Sequence, residues 1–245
     1  VLVVTGASRG IGAAIAMLAA ARGYRVAVNY TASSGEAEGV VSQIRSTGGT
    51  AGAIRADVSD ENAVARLFED AERELGPIVG LVNNAGITGK HGRLETLDPA
   101  DIARVTAVNV VGTILCARQA VLRMSTKRGG SGGAIVNLSS RAAQIGGGGE
   151  WLHYAASKGA VETFTLGLAR EVAAEGIRVN AVSPGLIETE LHSRAGDAGR
   201  LERLKSTVPQ QRVGTPDEVA NAVLWLLSPE ASYVNGAILA VAGGR

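Results

Sequence analysis

The sequence predicts an α/β protein built on a parallel sheet with helices on both faces, and three observations lead there. Short runs rich in β-branched residues recur at residues 1–5, 25–30, 53–56, 78–83, 134–139, 177–183 and 238–241, giving seven strands. Stretches with helical spacing lie between them. Val64, Leu67, Phe68, Ala71 and Leu75 form one face of residues 63–75, and Val219, Ala222, Val223, Leu226 and Leu227 repeat the pattern in 218–227. The strands are apolar throughout rather than alternating, as burial on both faces requires. Strand, helix, strand with right-handed crossovers then gives a doubly wound, Rossmann-type seven-stranded parallel sheet flanked by helices. Such sheets bind ligands beyond the carboxyl ends of the strands, where strand order reverses, so the residues just after each strand carry the functional signal.

At 245 residues, 46% hydrophobic and 19% charged, the chain can bury one large core, and a single domain over 1–245 is expected. Its 33 glycines follow no triplet period, which excludes a collagen-like chain and leaves turns and close backbone approaches. Two glycine-rich stretches, 129–133 and 146–149, read as exposed loops, the second also as a candidate wall of a substrate pocket. A net charge of +1 with dispersed lysines and arginines offers no field for nucleic acid or an anionic membrane, so a small molecule is the expected partner. Cys116, the one cysteine, cannot close an internal disulfide and reads as a reduced core thiol. Three histidines without ligand spacing give no metal site. No apolar run is expected to reach the roughly 18 residues of a membrane span, and residues 1–4 lack the flank and cleavage site of a secretion signal, so a cytoplasmic protein is expected. The chain begins without Met and inside a strand, so residues ahead of Val1 are expected.

Directly after the first strand comes Thr5-Gly6-Ala7-Ser8-Arg9-Gly10-Ile11-Gly12, followed by an apolar helix over 13–21. Glycines at 6, 10 and 12 allow a sharp turn, close approach of backbone to a pyrophosphate, and tight packing of helix on strand. Three further motifs fall after later strands: Asn83-Asn84-Ala85-Gly86, Tyr154-x-x-x-Lys158 and Pro184-Gly185. In order and spacing the four together resemble the short, single-domain branch of the short-chain dehydrogenase/reductase family, over essentially the whole chain. The resemblance implies that Gly6, Ser8, Arg9, Gly10, Ile11 and Gly12 line a nicotinamide dinucleotide. It places Asp57 and Val58 at the adenine, Asn84, Ala85 and Gly86 against the cofactor, and Ile187 and Thr189, after Pro184 and Gly185, at the nicotinamide amide. Asp57 has a rival role as cap of the helix starting near Asp60, and Thr189 as an ordinary loop hydroxyl. An acid at the end of the second strand would select NAD; Asn29, Tyr30 and Thr31 stand there instead, with no acid until Glu36. Arg9 in the glycine turn suits a 2'-phosphate, so NADP(H) is expected over NAD(H), with an idle exposed Arg9 as the alternative.

Carbonyl reduction needs a proton at oxygen as well as a hydride at carbon. Tyr154 is the expected proton donor and acceptor, with Lys158 one helical turn later on the same face to favour the phenolate. Ser140 is the hydroxyl that the resemblance puts on the substrate oxygen. Ser139 is the runner-up, because alternation along the strand sends the two serines to opposite faces. Asn109, in a long apolar helix, matches the family's fourth catalytic residue, which holds a water linking the lysine to solvent; it also reads as a buried structural asparagine. His153 is expected to line the pocket or an interface, Trp151 and Leu152 to form an apolar substrate wall, and Trp225 to lie in the core. Residues 188–212 are the expected substrate lid. The expected activity is NADP(H)-dependent interconversion of a carbonyl and an alcohol. The alternatives are a 3-oxoacyl-[acyl-carrier-protein] reductase, which Lys127 and Arg128 favour and Glu175 opposes, and a non-catalytic NADP-sensing or structural protein. A homotetramer or homodimer through helices near 105–123 and 152–174 is also implied by the resemblance.

Overall fold

A computed structural model of the chain describes residues 1–189 and 199–245. Its sheet contains seven strands, β1 (Leu2–Val4), β2 (Arg25–Tyr30), β3 (Thr50–Arg55), β4 (Gly80–Asn83), β5 (Gly133–Leu138), β6 (Ile177–Pro184) and β7 (Ile238–Val241). All pair in parallel, in the order β3-β2-β1-β4-β5-β6-β7. Strand order therefore reverses between β1 and β4. The expected strands are all present. The third starts at Thr50, three residues earlier than β-branching suggests, because Thr50, Ala51 and Gly52 pair with Arg25, Val26 and Ala27 of β2 and need no bulk of their own.

Alternate strand residues serve two cores. Leu2, Val4, Val26, Val28, Val82 and Val136 pack under α1 (Gly10–Ala21), α2 (Ser34–Ser46) and the last long helix. Val3, Ala27, Leu81, Ile135 and Val179 pack under α3 (Glu61–Leu75), α5 (Gly112–Met124) and α7 (Leu152–Val172). Asp60 caps α3, accepting from the Ala63 N–H at 3.0 Å. Cys116 is fully buried in the second core, where burial pushes its thiol up to about 12. Between these elements lie α4 (Pro99–Thr106), α6 (Ala142–Ile145), α8 (Arg200–Lys205) and α9 (Pro216–Leu227). Trp225, expected in the core, is 41% exposed, since the buried stripe of α9 runs through Val219, Val223, Leu226 and Leu227.

One expectation needs correction. α4 continues through a π turn, Ala107–Val111, into α5, and the 26-residue stretch Pro99–Met124 is long and apolar enough to cross a membrane by length and composition alone. Here it is a core helix: Val105, Cys116, Ala117, Ala120 and Met124 are wholly buried.

Phe68 is completely buried on α3, with the Arg123 guanidinium carbon 5.5 Å from its ring centroid. Phe68→Ala is expected to cost about 3–5 kcal/mol, read as a lowered urea midpoint at unchanged m-value. A loss below about 1 kcal/mol would show that the site collapses around the gap.

Candidate active site

The turn after β1 is shaped by two glycines. Gly6 adopts φ +60°, a left-handed angle that favours glycine. Gly12 is dictated by space, since a Cβ there would lie 2.5 Å from Asn84 Nδ2 and from the Gly6 carbonyl oxygen. The Asn84 amide donates to the carbonyls of Thr5 and Gly6, both at 2.9 Å, while the Thr5 hydroxyl accepts from the N–H groups of Asn84 and Ala85 at 3.0 Å. These bonds join the exits of β1 and β4 at the point where strand order reverses. Ser8, Gly10 and Ile11 complete the turn, half-buried, and Gly10 faces Thr189. The first turn of α1 carries no acidic side chain, so its N-terminus presents an uncompensated positive dipole end above the glycine cradle. That arrangement fits a dinucleotide pyrophosphate.

At the end of β2 the three expected cofactor residues divide. Asn29 is buried and committed internally: its Oδ1 accepts from Gly6 N–H at 3.2 Å, and its Nδ2 donates to the carbonyls of Ile54 and Ala56 at 3.3 and 3.1 Å. Its side chain thus ties β2 and β3 to the glycine turn. Tyr30 is half-buried and Thr31 exposed, with the Thr31 hydroxyl 3.3 Å from the Ala56 carbonyl. Arg9 reaches over this edge to the Ser33 hydroxyl and pairs with Glu36 at 2.5 Å. Asp57 does not cap α3; its carboxylate accepts from Ser59 N–H and hydroxyl at 2.9 and 2.7 Å, bonds that lower its pKa. Val58 is buried against Gly112 on α5.

On the other side of the switch point, the strand exits and α7 converge. Ser140 follows β5, its hydroxyl accepting from Ala142 N–H at 3.1 Å and lying close enough to Tyr154 to act on its pKa. Ser139 has a different partner, donating to Glu162 Oε1 at 2.7 Å. Lys158 is buried, its Nζ 2.6 Å from the Leu138 carbonyl and 5.8 Å from the centroid of the Tyr154 ring. Burial pulls the Lys158 ammonium down to about 8. The Tyr154 hydroxyl is pushed up, not down: burial outweighs the nearby Ser140 hydroxyl and the charge of Arg200, both of which act to lower it. Asn109 sits in the π turn with no exposed surface, its Oδ1 accepting from Ile87 N–H and its Nδ2 donating to the Ile87 carbonyl and the Ser157 hydroxyl, all at 2.9 Å. Gly86 lies beside both groups, its Cβ position 3.3 Å from Asn109 Oδ1 and 3.5 Å from Lys158 Nζ.

Pro184 closes β6, and Gly185 packs on Ala242 beyond β7. Ile187 is buried and bridges to Gly214. A cavity of about 610 Å³ opens there, lined by Arg141, Leu186, Ile187, Gln210 and Arg245 among others. Of the expected lid, residues 190–198 lie outside the described residues. His153 is buried with Nε2 3.2 Å from Asp101, whose carboxylate also accepts from Lys90 N–H at 2.7 Å. Trp151 is buried and donates from Nε1 to the Gly89 carbonyl at 3.1 Å, tying the start of α7 to the loop after β4. Sequence reading missed Arg200, which pairs with Glu150, and Ser157; nothing in local spacing signals a partner fifty residues away.

A nucleotide cradle at the switch point of a parallel sheet, facing a tyrosine, lysine and serine, defines the dinucleotide-dependent oxidoreductase class. A family model described as Enoyl-(Acyl carrier protein) reductase matches residues 6–245. The uncharacterized oxidoreductase YgfF of Escherichia coli (strain K12) is 51% identical over 245 residues, covering 100% of this chain and 99% of that protein. The 3-oxoacyl-[acyl-carrier-protein] reductase FabG of Staphylococcus aureus (strain Mu50 / ATCC 700699) is 38% identical, covering 98% and 96%. The crystal structure of a short chain dehydrogenase from Burkholderia cenocepacia J2315 in complex with NADP superposes with a TM-score of 0.91 at 37% identity, covering 99% and 96%. The chain belongs to the short-chain dehydrogenase/reductase family.

Two predictions follow from this geometry. Gly12→Ala drives a methyl into the Asn84 amide and is expected to weaken NADPH binding at least about tenfold by fluorescence titration, an effect that tight binding by the variant would disprove. Lys158 carries its proton in both folded and unfolded chains below about 8. Between there and the ordinary lysine value of about 10.4, only the unfolded chain keeps it, so stability rises with pH across that window. The unfolding free-energy difference between wild type and Lys158→Met is expected to move toward wild type by on the order of a few kcal/mol between pH 7.5 and 10. A pH-independent difference contradicts it.

Proposed function

We propose that this oxidoreductase interconverts a carbonyl and an alcohol with NADP(H), Tyr154 exchanging the proton with the substrate oxygen. The observation that carries the reading is the convergence on Tyr154 of Ser140 and the buried Lys158, whose Nζ lies 5.8 Å from the centroid of the tyrosine ring. When bound, the nicotinamide supplies the hydride to or from the carbon. Ser140 holds the substrate oxygen, and the Tyr154 hydroxyl donates its proton to that oxygen in reduction and takes it back in oxidation. A hydroxyl that burial keeps protonated is suited to the donor role. Lys158 and Asn109 both lie against Gly86, and Asn109 holds the loop after β4 through the backbone of Ile87.

Preference for NADP(H) is supported by Arg9 and Ser33 at the edge where a 2'-phosphate would lie, and by the NADP bound in the Burkholderia neighbour. Glu36 is the internal counter-ion that such a phosphate would displace from Arg9. A second reading, reduction of 3-oxoacyl groups on a carrier protein, is favoured by the name of the Staphylococcus relative but opposed by local charge. Glu175 takes Lys127 at 3.0 Å and the Ser125 hydroxyl, which removes basic character from the surface an acidic carrier would need. A homo-oligomer is supported by Val111, Ile114, Leu122 and Leu166, exposed along the α5 and α7 side of the fold.

NADPH oxidation followed against sugars, ketones, diketones and 3-oxoacyl thioesters tests the reading. Tyr154→Phe is expected to lower turnover by about 10²–10⁴-fold with NADPH affinity within about twofold of wild type. Undiminished turnover would exclude Tyr154 as acid and base, and tight NADPH binding with no turnover on any class would favour a sensing role. Arg9→Ala is expected to weaken NADPH at least about tenfold more than NADH.

A further inference from the structure

We propose that Arg200 is the substrate-recognition residue of this site and that the carbonyl or alcohol substrate carries a carboxylate. The inference rests on the reading of Tyr154 as the reacting acid and base. Arg200 is only 6% exposed, and its Cζ lies 4.9 Å from the centroid of the Trp151 ring, three residues before Tyr154 on the same turn of chain. One nitrogen, Nη1, is paired with Glu150. Nε is buried and has no hydrogen-bond partner among the described residues. A buried guanidinium with an unused donor is costly, and proteins meet that cost by pairing it. The Arg200 charge is felt at the Tyr154 hydroxyl, so the unused donor lies within the electrostatic reach of the reacting oxygen.

The surrounding charge argues for an anion rather than a neutral acceptor. Arg245 feels both Arg200 and Arg141 as like charges and Glu150 as an opposing one, so three guanidinium groups gather on this side of the site. Arg141 is held in place by its Nε bond to the Arg245 carbonyl at 2.7 Å. Glu150 already demonstrates the fit, as a carboxylate of the chain itself that engages one side of the Arg200 fork. Guanidinium planes pair with carboxylates through two parallel donors, and a carboxylate of the substrate would complete the set on the Nε side. The flat Trp151 ring beneath then packs the apolar body of the substrate, while Tyr154 and Ser140 take its oxygen.

The proposal separates from a purely structural latch by the sign of one substitution. If the Arg200 and Glu150 pair only closes the site, Glu150→Gln loosens it as Arg200→Met does. If Arg200 awaits an anion, Glu150→Gln removes a competitor and tightens binding. The measurement uses the full chain saturated with NADP⁺ in a Trp225→Phe background, which leaves Trp151 as the sole tryptophan, titrated with cyclohexanecarboxylate and with cyclohexanecarboxamide. The carboxylate is expected to change Trp151 emission with a Kd at least about tenfold below that of the amide. Arg200→Met is expected to bring the ratio to about 1, Arg200→Lys to keep a few-fold preference with an intact fold, and Glu150→Gln to tighten the carboxylate a few-fold. Equal binding of acid and amide by wild type, or a weakening by Glu150→Gln that matches Arg200→Met, would overturn the proposal. Parallel NADPH oxidation with 4-oxocyclohexanecarboxylate, its methyl ester and neutral diketones keeps the two readings apart. Turnover of neutral ketones without preference for the acid overturns the role of Arg200 and leaves the reductase reading standing. Carboxylate-selective binding without any turnover supports Arg200 and overturns the reductase reading.

Discussion

Where β1 and β4 leave the sheet, their chains diverge to opposite faces, and the gap between them exposes backbone groups that no neighbouring strand can satisfy. The Thr5 hydroxyl and the Asn84 amide fill that role from opposite sides, bonding the Asn84 and Ala85 N–H groups and the Thr5 and Gly6 carbonyls. The rest of the site depends on this junction. It fixes the glycine turn against the loop after β4, and that loop in turn carries Gly86 to Asn109 and Lys158 and carries Gly89 to Trp151. Because the Asn84 side chain uses the space a Cβ at Gly12 would take, the turn and the loop cannot be altered separately.

The catalytic half works with burial and charge in opposition. Lys158 is driven toward the neutral form and Tyr154 is held protonated by the same removal from water. The Ser140 hydroxyl and the charge of Arg200 moderate the effect on Tyr154 without reversing it. The expectation that a lysine one turn away lowers the tyrosine treats charge alone; in the fold the ammonium is taken up by the Leu138 carbonyl, and the cation that acts on the phenol comes from beyond the chain segment where spacing is informative.

Much of the fold was legible because strand periodicity and glycine geometry are local properties. The seven runs mark seven strands, and the turn from Thr5 to Gly12 sits where strand meets helix. The choice of Ser140 over Ser139 follows from alternation along β5 together with the resemblance, and the two hydroxyls take different partners, Glu162 for Ser139 and the Ala142 N–H for Ser140. What sequence did not reveal depends on pairing through space. Asn29 looks like a cofactor contact at a strand end, yet its amide serves three backbone groups of the scaffold. Thr50, Ala51 and Gly52 carry no strand signature and are strand because β2 pairs with them. Arg200 and Glu150 are fifty residues apart, and no pattern along the chain relates them.

The π turn at 107–111 has a consequence for how the helix around it is read. An α-helix advances by about 100° per residue, so a wheel drawn straight through would set Val105 and Met124 about 100° apart. One additional residue in the turn restores the phase, and Val105, Asn109, Thr113, Cys116, Ala120 and Met124 become one buried line. Read in a single frame, the same residues spread over an arc of about 100°, while the exposed Val111, Ile114 and Leu122 lie on the opposite side and give the stretch the all-round hydrophobicity of a bilayer helix. The residue at the centre of the phase slip is the asparagine that clamps the backbone of Ile87 from both edges.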